Sequence, residues 1–270
     1  MRTRDGARRE RWRRPAGQVH RGLQRWLGSV VLAGALVTPP LMVHTYPTVT
    51  TGTALESREL TADGSDWYNA GSGLPGLADV TAPASNQSGN LREVFWPEGA
   101  PSTVDEQTCA TWPTESTWSV QQGAALRIRT DPDGTVHALT VTKNVFAGPT
   151  WLFSIHEWNS SADPAFHSLG DFDLSSVFRG PDGLPRPLPW RLCARVLGTR
   201  LEFKVWPAAQ TTPSWGDARY GGGVDLDPSW NRLGVAGWYV GHLPPGGHAK
   251  FSLMRTWLIG TPVGPAGATD

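Results

Sequence analysis

From Trp190 to Pro207 apolar and polar side chains alternate twice, with Gly198-Thr199 between the two runs. Period-2 alternation around a two-residue turn with a glycine predicts a β-hairpin. The implied register sets Val196 opposite Leu201, Ala194 opposite Phe203 and Leu192 opposite Val205, an apolar face throughout. The other face then pairs Arg195 with Glu202, Cys193 with Lys204 and Arg191 with Trp206. A slip of one residue would destroy both sets of pairs, so the hairpin specifies its own register.

The same alternation recurs more weakly elsewhere. Ala124 to Thr130 and Thr135 to Lys143, joined by Asp131-Pro-Asp-Gly134, predict a second hairpin. Strands are also expected at Leu91–Trp96, Thr150–Glu157, Phe166–Leu174, Leu233–Val240 and Ala249–Ile259. In Thr150–Glu157 the pattern sets Phe153 and Ile155 on one face, and Ser154 and His156 on the other. Residues 66–90 and 208–230 are rich in turn formers and read as loops, with Gly221-Gly-Gly223 as a flexible connection. Beyond residue 43 no amphipathic run is long enough for a ten-residue helix. Many short strands with Gly/Pro turns predict an all-β domain of two packed antiparallel sheets over 66–260, followed by a frayed tail, 261–270.

The N-terminus has a different pattern. Residues 1–25 carry nine of the 24 Lys and Arg, and residues 26–43 form an uncharged apolar run of 18. A basic flank before such a run keeps the N-terminus cytoplasmic and sends the rest across the membrane. The expectation is an uncleaved signal-anchor helix at 26–43 and a Thr-rich stalk at 44–65, giving a single-pass protein with its C-terminal domain outside the cell membrane. Secretion after signal cleavage is the alternative. The chain beyond residue 25 holds 15 basic against 22 acidic residues, a balance that gives no electrostatic footprint for nucleic acid. Cys109 and Cys193 both lie beyond the apolar run, and an even pair in an exported domain reads as a disulfide rather than two buried thiols. Closing so long a loop is worth about 4–5 kcal/mol on the chain-entropy model.

Trp190-Arg-Leu-Cys-Ala-Arg-Val, Leu201-Glu-Phe-Lys-Val-Trp-Pro-Ala208, Pro213-Ser-Trp215, Gly234-Val-Ala-Gly237 and Ala249-Lys-Phe-Ser-Leu253 together resemble the concanavalin-A-like, laminin-G-like jelly rolls over roughly 110–260. The resemblance implies a jelly-roll fold and leaves activity open, since such folds serve glycan-binding modules, hydrolases and adhesion domains. Arg outnumbers Lys 21 to 3, which fits a GC-rich bacterial genome and an exported actinobacterial-type protein.

Retaining glycoside hydrolysis in that superfamily takes a Glu-x-Asp-x-x-Glu strand, and the chain has none. Glu157 and the pair Asp171/Asp173 are the nearest substitutes, the pair suiting either acid–base work or calcium, for which nothing else speaks. Asp131-Pro-Asp-Gly134 is explained as a turn, and His156-Glu157-Trp-Asn-Ser160 lacks the second histidine of a zinc-protease helix. His242 and His248 bracket one loop and read as solvent-facing, so no metal or other cofactor is expected. The fourteen tryptophans carry the positive expectation, because sugar rings stack on rigid aromatic faces beside a few polar groups. The candidate ligand contacts are His156, Trp158, Arg191, Arg195, Trp206, Trp215 and Tyr239. The expected function is non-catalytic binding of a cell-envelope glycan. A structural or adhesion domain with a surface-protein partner comes second, and a hydrolase using the acidic residues third.

Overall fold

In the computed structural model the residues described are 43–45, 54–61, 68–74, 77–85, 91–115, 120–144, 152–180 and 186–259. The expected anchor helix therefore lies outside them, apart from Val43. Among the described residues no helix is long and apolar enough to cross a membrane. In chain order the strands are β1 (Val43–Thr45), β2 (Leu55–Thr61), β3 (Asn69–Leu74), β4 (Leu77–Thr81), β5 (Arg92–Pro97), β6 (Asp105–Trp112), β7 (Gln121–Thr130), β8 (Val136–Asn144), β9 (Leu152–Asn159) and β10 (Phe166–Asp173). After a four-residue helix α1 (Ser175–Phe178) come β11 (Trp190–Leu197), β12 (Arg200–Pro207), β13 (Gly221–Asp225), β14 (Val235–Gly241) and β15 (His248–Ile259).

These strands form two antiparallel sheets packed as a jelly-roll sandwich, the fold class that the alternation predicts. One sheet runs β13-β12-β11-β6-β15-β4-β3, with β1 also paired to β15; the other runs β10-β9-β8-β7-β14-β5-β2. Alternate residues of both sheets meet in the middle: Leu192, Ala194, Val196, Leu201, Phe203 and Val205 from one, Leu126, Val141, Phe153, Ile155 and Trp238 from the other. The hairpin has the expected register, with Leu192 opposite Val205 and Arg195 opposite Glu202, and Gly198 supplies the positive φ of +55° at its turn. Cys109 and Cys193 are opposite each other on β6 and β11 and form the disulfide.

Several segments depart from the sequence reading. The stretch expected as a stalk, 44–65, supplies β1 and β2, so the sandwich begins well before residue 66. Residues 66–90 supply β3 and β4, and the glycine run expected as a flexible connection is β13. Strands β2, β3 and β13 are edges, held by backbone hydrogen bonds on one side and carrying few apolar residues, so they leave no alternating pattern. In β13 the glycines are needed for close approach, since a Cβ on Gly222 would stand 2.2 Å from the Phe172 ring. Strand β6 lies between β11 and β15, yet its inward positions include Glu106, which reads as surface until its partner Arg127 is known.

Candidate functional site

The β7–β8 ladder shifts register between Leu126 and Arg129, and within that bulge Arg127 has a positive φ of 47°. Bulges re-aim side chains. Arg127 is fully buried, and its backbone N–H donates to the Glu106 carboxylate. Its guanidinium donates to the Val104 carbonyl at 3.0 Å and to the carbonyls of Trp230 and Gly198. Burial pushes the Glu106 carboxyl up and the Arg127 guanidinium down, each opposing the other's shift. The chain around Trp230 is thus tied to the end of the sandwich. Its turn, Pro228–Trp230, is capped locally by Asp227, whose Oδ1 accepts from the Ser229 N–H at 2.8 Å.

Past the bulge, Arg129 faces His137 across the ladder, and the ends of β7, β8, β9 and β10 open into a cleft of about 560 Å³. Trp230 contributes one wall, its indole N–H donating to Glu157 Oε2 at 2.8 Å. His167 Nδ1 lies 3.3 Å from Glu157 Oε1, so both oxygens of that carboxylate are engaged. The Arg129 guanidinium lies 5.1 Å from the Trp230 ring, a cation–π distance. Its closest carboxylate contact is Asp131 at 3.9 Å, and Asp131 is also 3.0 Å from His137. Burial lowers the Arg129 pKa, Asp131 opposes that shift, and neighbouring Arg232 adds to it. Phe166 lines the same cleft and is 37% exposed. Such a cleft supplies stacking surface and hydrogen bonds. Among the described residues lining it, Glu157 is the only carboxylate.

The residues singled out in the sequence are divided between two opposite faces. Trp158, His156 and Tyr239 are on the outer face of the sheet containing β9 and β14; Arg191, Arg195, Trp206 and Trp215 are on the outer side of the other sheet. The expected single binding surface therefore does not form. Trp158 is 2% exposed, Tyr239 0% and Trp206 1%; of the three, Trp158 borders the cleft, its ring 5.1 Å from that of Phe166. Trp158 donates to Thr140 Oγ1 and Tyr239 to Gln121 Oε1, both within the fold. His156 is pushed down to about 4 by burial and is neutral near pH 7. On the opposite face the segment after β12 folds back over the sheet: Trp215 stacks 4.2 Å from the Arg195 guanidinium, and Lys204 donates to the Pro213 carbonyl. Arg195 in turn donates to Glu202 at 2.6 Å, and Trp206 packs on the disulfide.

The acidic pair also takes structural roles. Asp171 accepts from Ser154 Oγ at 2.6 Å and Asp173 from the Ser175 N–H at 2.8 Å, opening α1. Arg92 donates to His242 Nε2 at 3.0 Å. Among the described residues no group of three or more His, Cys, Asp or Glu is placed to hold a metal ion. Sequence reasoning missed Arg129, His137, Phe166, His167 and Arg232. The Asp131–Gly134 turn signalled that Arg129 and His137 are close, but the bulge that turns them toward Trp230 leaves no mark in the residue pattern.

The strands and the cleft together define an antiparallel two-sheet jelly-roll sandwich with an open polar and aromatic cleft at one end of its sheets. No protein-family model and no curated protein matches the chain. Solved structures do. The carbohydrate-binding module CBM66 from Bacillus subtilis aligns at 11% identity over 78% of this chain and 99% of its own, with a TM-score of 0.44. The exoplasmic/lumenal domain of VIP36 aligns at 11% identity over 80% of this chain and 90% of its own, TM-score 0.43. The κ-carrageenase from Pseudoalteromonas carrageenovora, in complex with an oligosaccharide of κ-carrageenan, aligns at 11% identity over 84% and 99%, TM-score 0.43.

Proposed function

We propose that this protein binds glycans without cleaving them, through the cleft between Trp230 and Phe166. One observation carries the reading: about 560 Å³ of open space in which an exposed phenyl ring and an indole wall stand beside Glu157, Asn159, His137 and Arg129. Sugar sites combine such aromatic surfaces with a few fixed polar groups, in pockets of roughly 300–1,000 Å³. The site's location is proposed too: the domain faces the outside of the cell membrane, held at the envelope by residues 26–43. The basic flank and apolar run support that reading, as does a disulfide, which persists in oxidising compartments.

The test is calorimetric titration of the full-length protein with a panel of cell-wall and storage oligosaccharides, with reducing ends assayed in parallel. Saturable binding without product, weakened by Phe166→Ala, is expected. Product release, or binding indifferent to Phe166→Ala, would overturn the reading.

A further inference from the structure

The cleft holds two guanidinium groups, Arg129 and Arg232, close enough for the charge of Arg232 to disfavour that of Arg129. Arg232 is exposed, while Arg129 Nε and Nη1 are buried without a hydrogen-bond partner among the described residues. A buried, unbonded charged donor is costly, and a like-charged pair adds repulsion that an anion placed between them would remove. The carboxylates nearby are already taken. Glu157 is held by the Trp230 indole and by His167, and Asp131 is held by His137. Asp131 meets Arg129 only at 3.9 Å, beyond hydrogen-bond range.

Resting on the glycan-binding reading of this cleft, we infer that its ligand is an acidic sugar, whose oxyanion lies between Arg129 and Arg232 and whose ring packs on Phe166. Guanidinium groups recognise carboxylates through charge-assisted hydrogen bonds that a neutral sugar cannot form. The engaged Glu157 is the discriminating element: its oxygens accept hydroxyl hydrogen bonds and repel an anion, so the acidic group is directed to the arginine side.

The experiment is calorimetric titration of the full-length protein with matched pairs: oligosaccharides of galacturonate and glucuronate, and the same oligosaccharides as methyl esters, which keep the rings and lose the charge. A sulfated galactan oligosaccharide forms a third arm and distinguishes a sulfate ester from a carboxylate as the source of the oxyanion. The acid is expected to bind about tenfold or more tighter than its ester at low salt, with the preference shrinking as salt rises. Arg129→Gln should narrow the ratio of acid to ester affinity to near one. Arg232→Gln, at an exposed position, should narrow it as well. Equal affinity for acid and ester, or a ratio unaffected by both substitutions, would overturn the inference and leave glycan binding standing. Preference for the sulfated arm over the uronate would assign the oxyanion as sulfate and retain the acidic-sugar site. If no sugar of any arm binds, the glycan reading and this inference fall together.

Discussion

Arg195 on Trp215 and Arg129 on Trp230 are the same pairing of residue types in two places, the outer side of one sheet and the strand ends of the other. The first is closed in the sense that its donors are bonded, the Arg195 side chain being 24% exposed against 20% for Arg129. Its guanidinium is 4.2 Å from the ring and bonded to Glu202, and Lys204 reaches the carbonyl of the loop that covers the face. Burial lowers the Lys204 pKa, with Arg195 adding to the shift, so this ammonium is bound up in the packing. In the second pair the guanidinium is 5.1 Å from the ring, its nearest carboxylate is at 3.9 Å, and the space beside it is open. The comparison teaches that a tryptophan beside an arginine marks a binding site only where the arginine's donors are unspent. Where they are spent, the pair is a cover for the sheet.

The sharpest way to break this comparison is to remove the ring beneath the closed face. Trp206→Ala deletes a side chain that is 1% exposed, and should cost about 3–5 kcal/mol in chemical denaturation. Glycan affinity should stay unchanged. A stable variant with weakened binding would mean that the closed face is the site. Cys109→Ala with Cys193→Ala, which opens the disulfide beside Trp206, should cost about 2–5 kcal/mol. The same titrations should show the cleft intact.

A third test uses pH. Glu93 is fully buried, and burial raises its carboxyl to about 7, with its polar neighbours Ser57 and Tyr68 opposing. The unfolded chain releases this proton near the ordinary carboxylate value of 4.5, and the folded chain near 7. Its stabilising share is therefore complete below 4.5 and is lost as pH rises through 7, up to about 3 kcal/mol. Glu93→Gln should flatten stability between those limits, as read by melting temperature against pH. A wild-type curve rising across that window, with Glu93→Gln unchanged, would count against the shift. The smallest stability effect belongs to Phe166→Ala, at 37% exposure, expected within about 0.5 kcal/mol of wild type. Its effect on glycan affinity should be several-fold, the reverse of Trp206→Ala.

The hairpin Trp190–Pro207 was legible because both of its faces carry matched pairs, and the structure has that register throughout. The strands at Arg92, Gln121, Val136, Leu152, Phe166, Val235 and His248 came from alternation alone. The edge strands β2, β3 and β13 were hidden because backbone bonding, not side-chain pattern, holds them there. Strand β6 was hidden because its inward Glu106 finds its partner in the backbone N–H of Arg127, a residue 21 positions along the chain. The cleft was the least legible feature. Alternation tells which residues point away from the core and cannot tell that a returning loop covers Trp206 while Arg129, past a bulge, has no hydrogen-bonded carboxylate beside the cleft. Aromatic content therefore points to Trp158, Trp206 and Tyr239, which are packed, and passes over Phe166, which is exposed.

The most direct test of the account compares Phe166→Ala with Trp215→Ala in the full-length protein, by calorimetric titration with whichever oligosaccharide binds wild type most tightly. Trp215 lies in the closed face and Phe166 in the open cleft. The account predicts several-fold weaker binding for Phe166→Ala and wild-type affinity for Trp215→Ala. Loss of binding in Trp215→Ala, with Phe166→Ala unaffected, would contradict it.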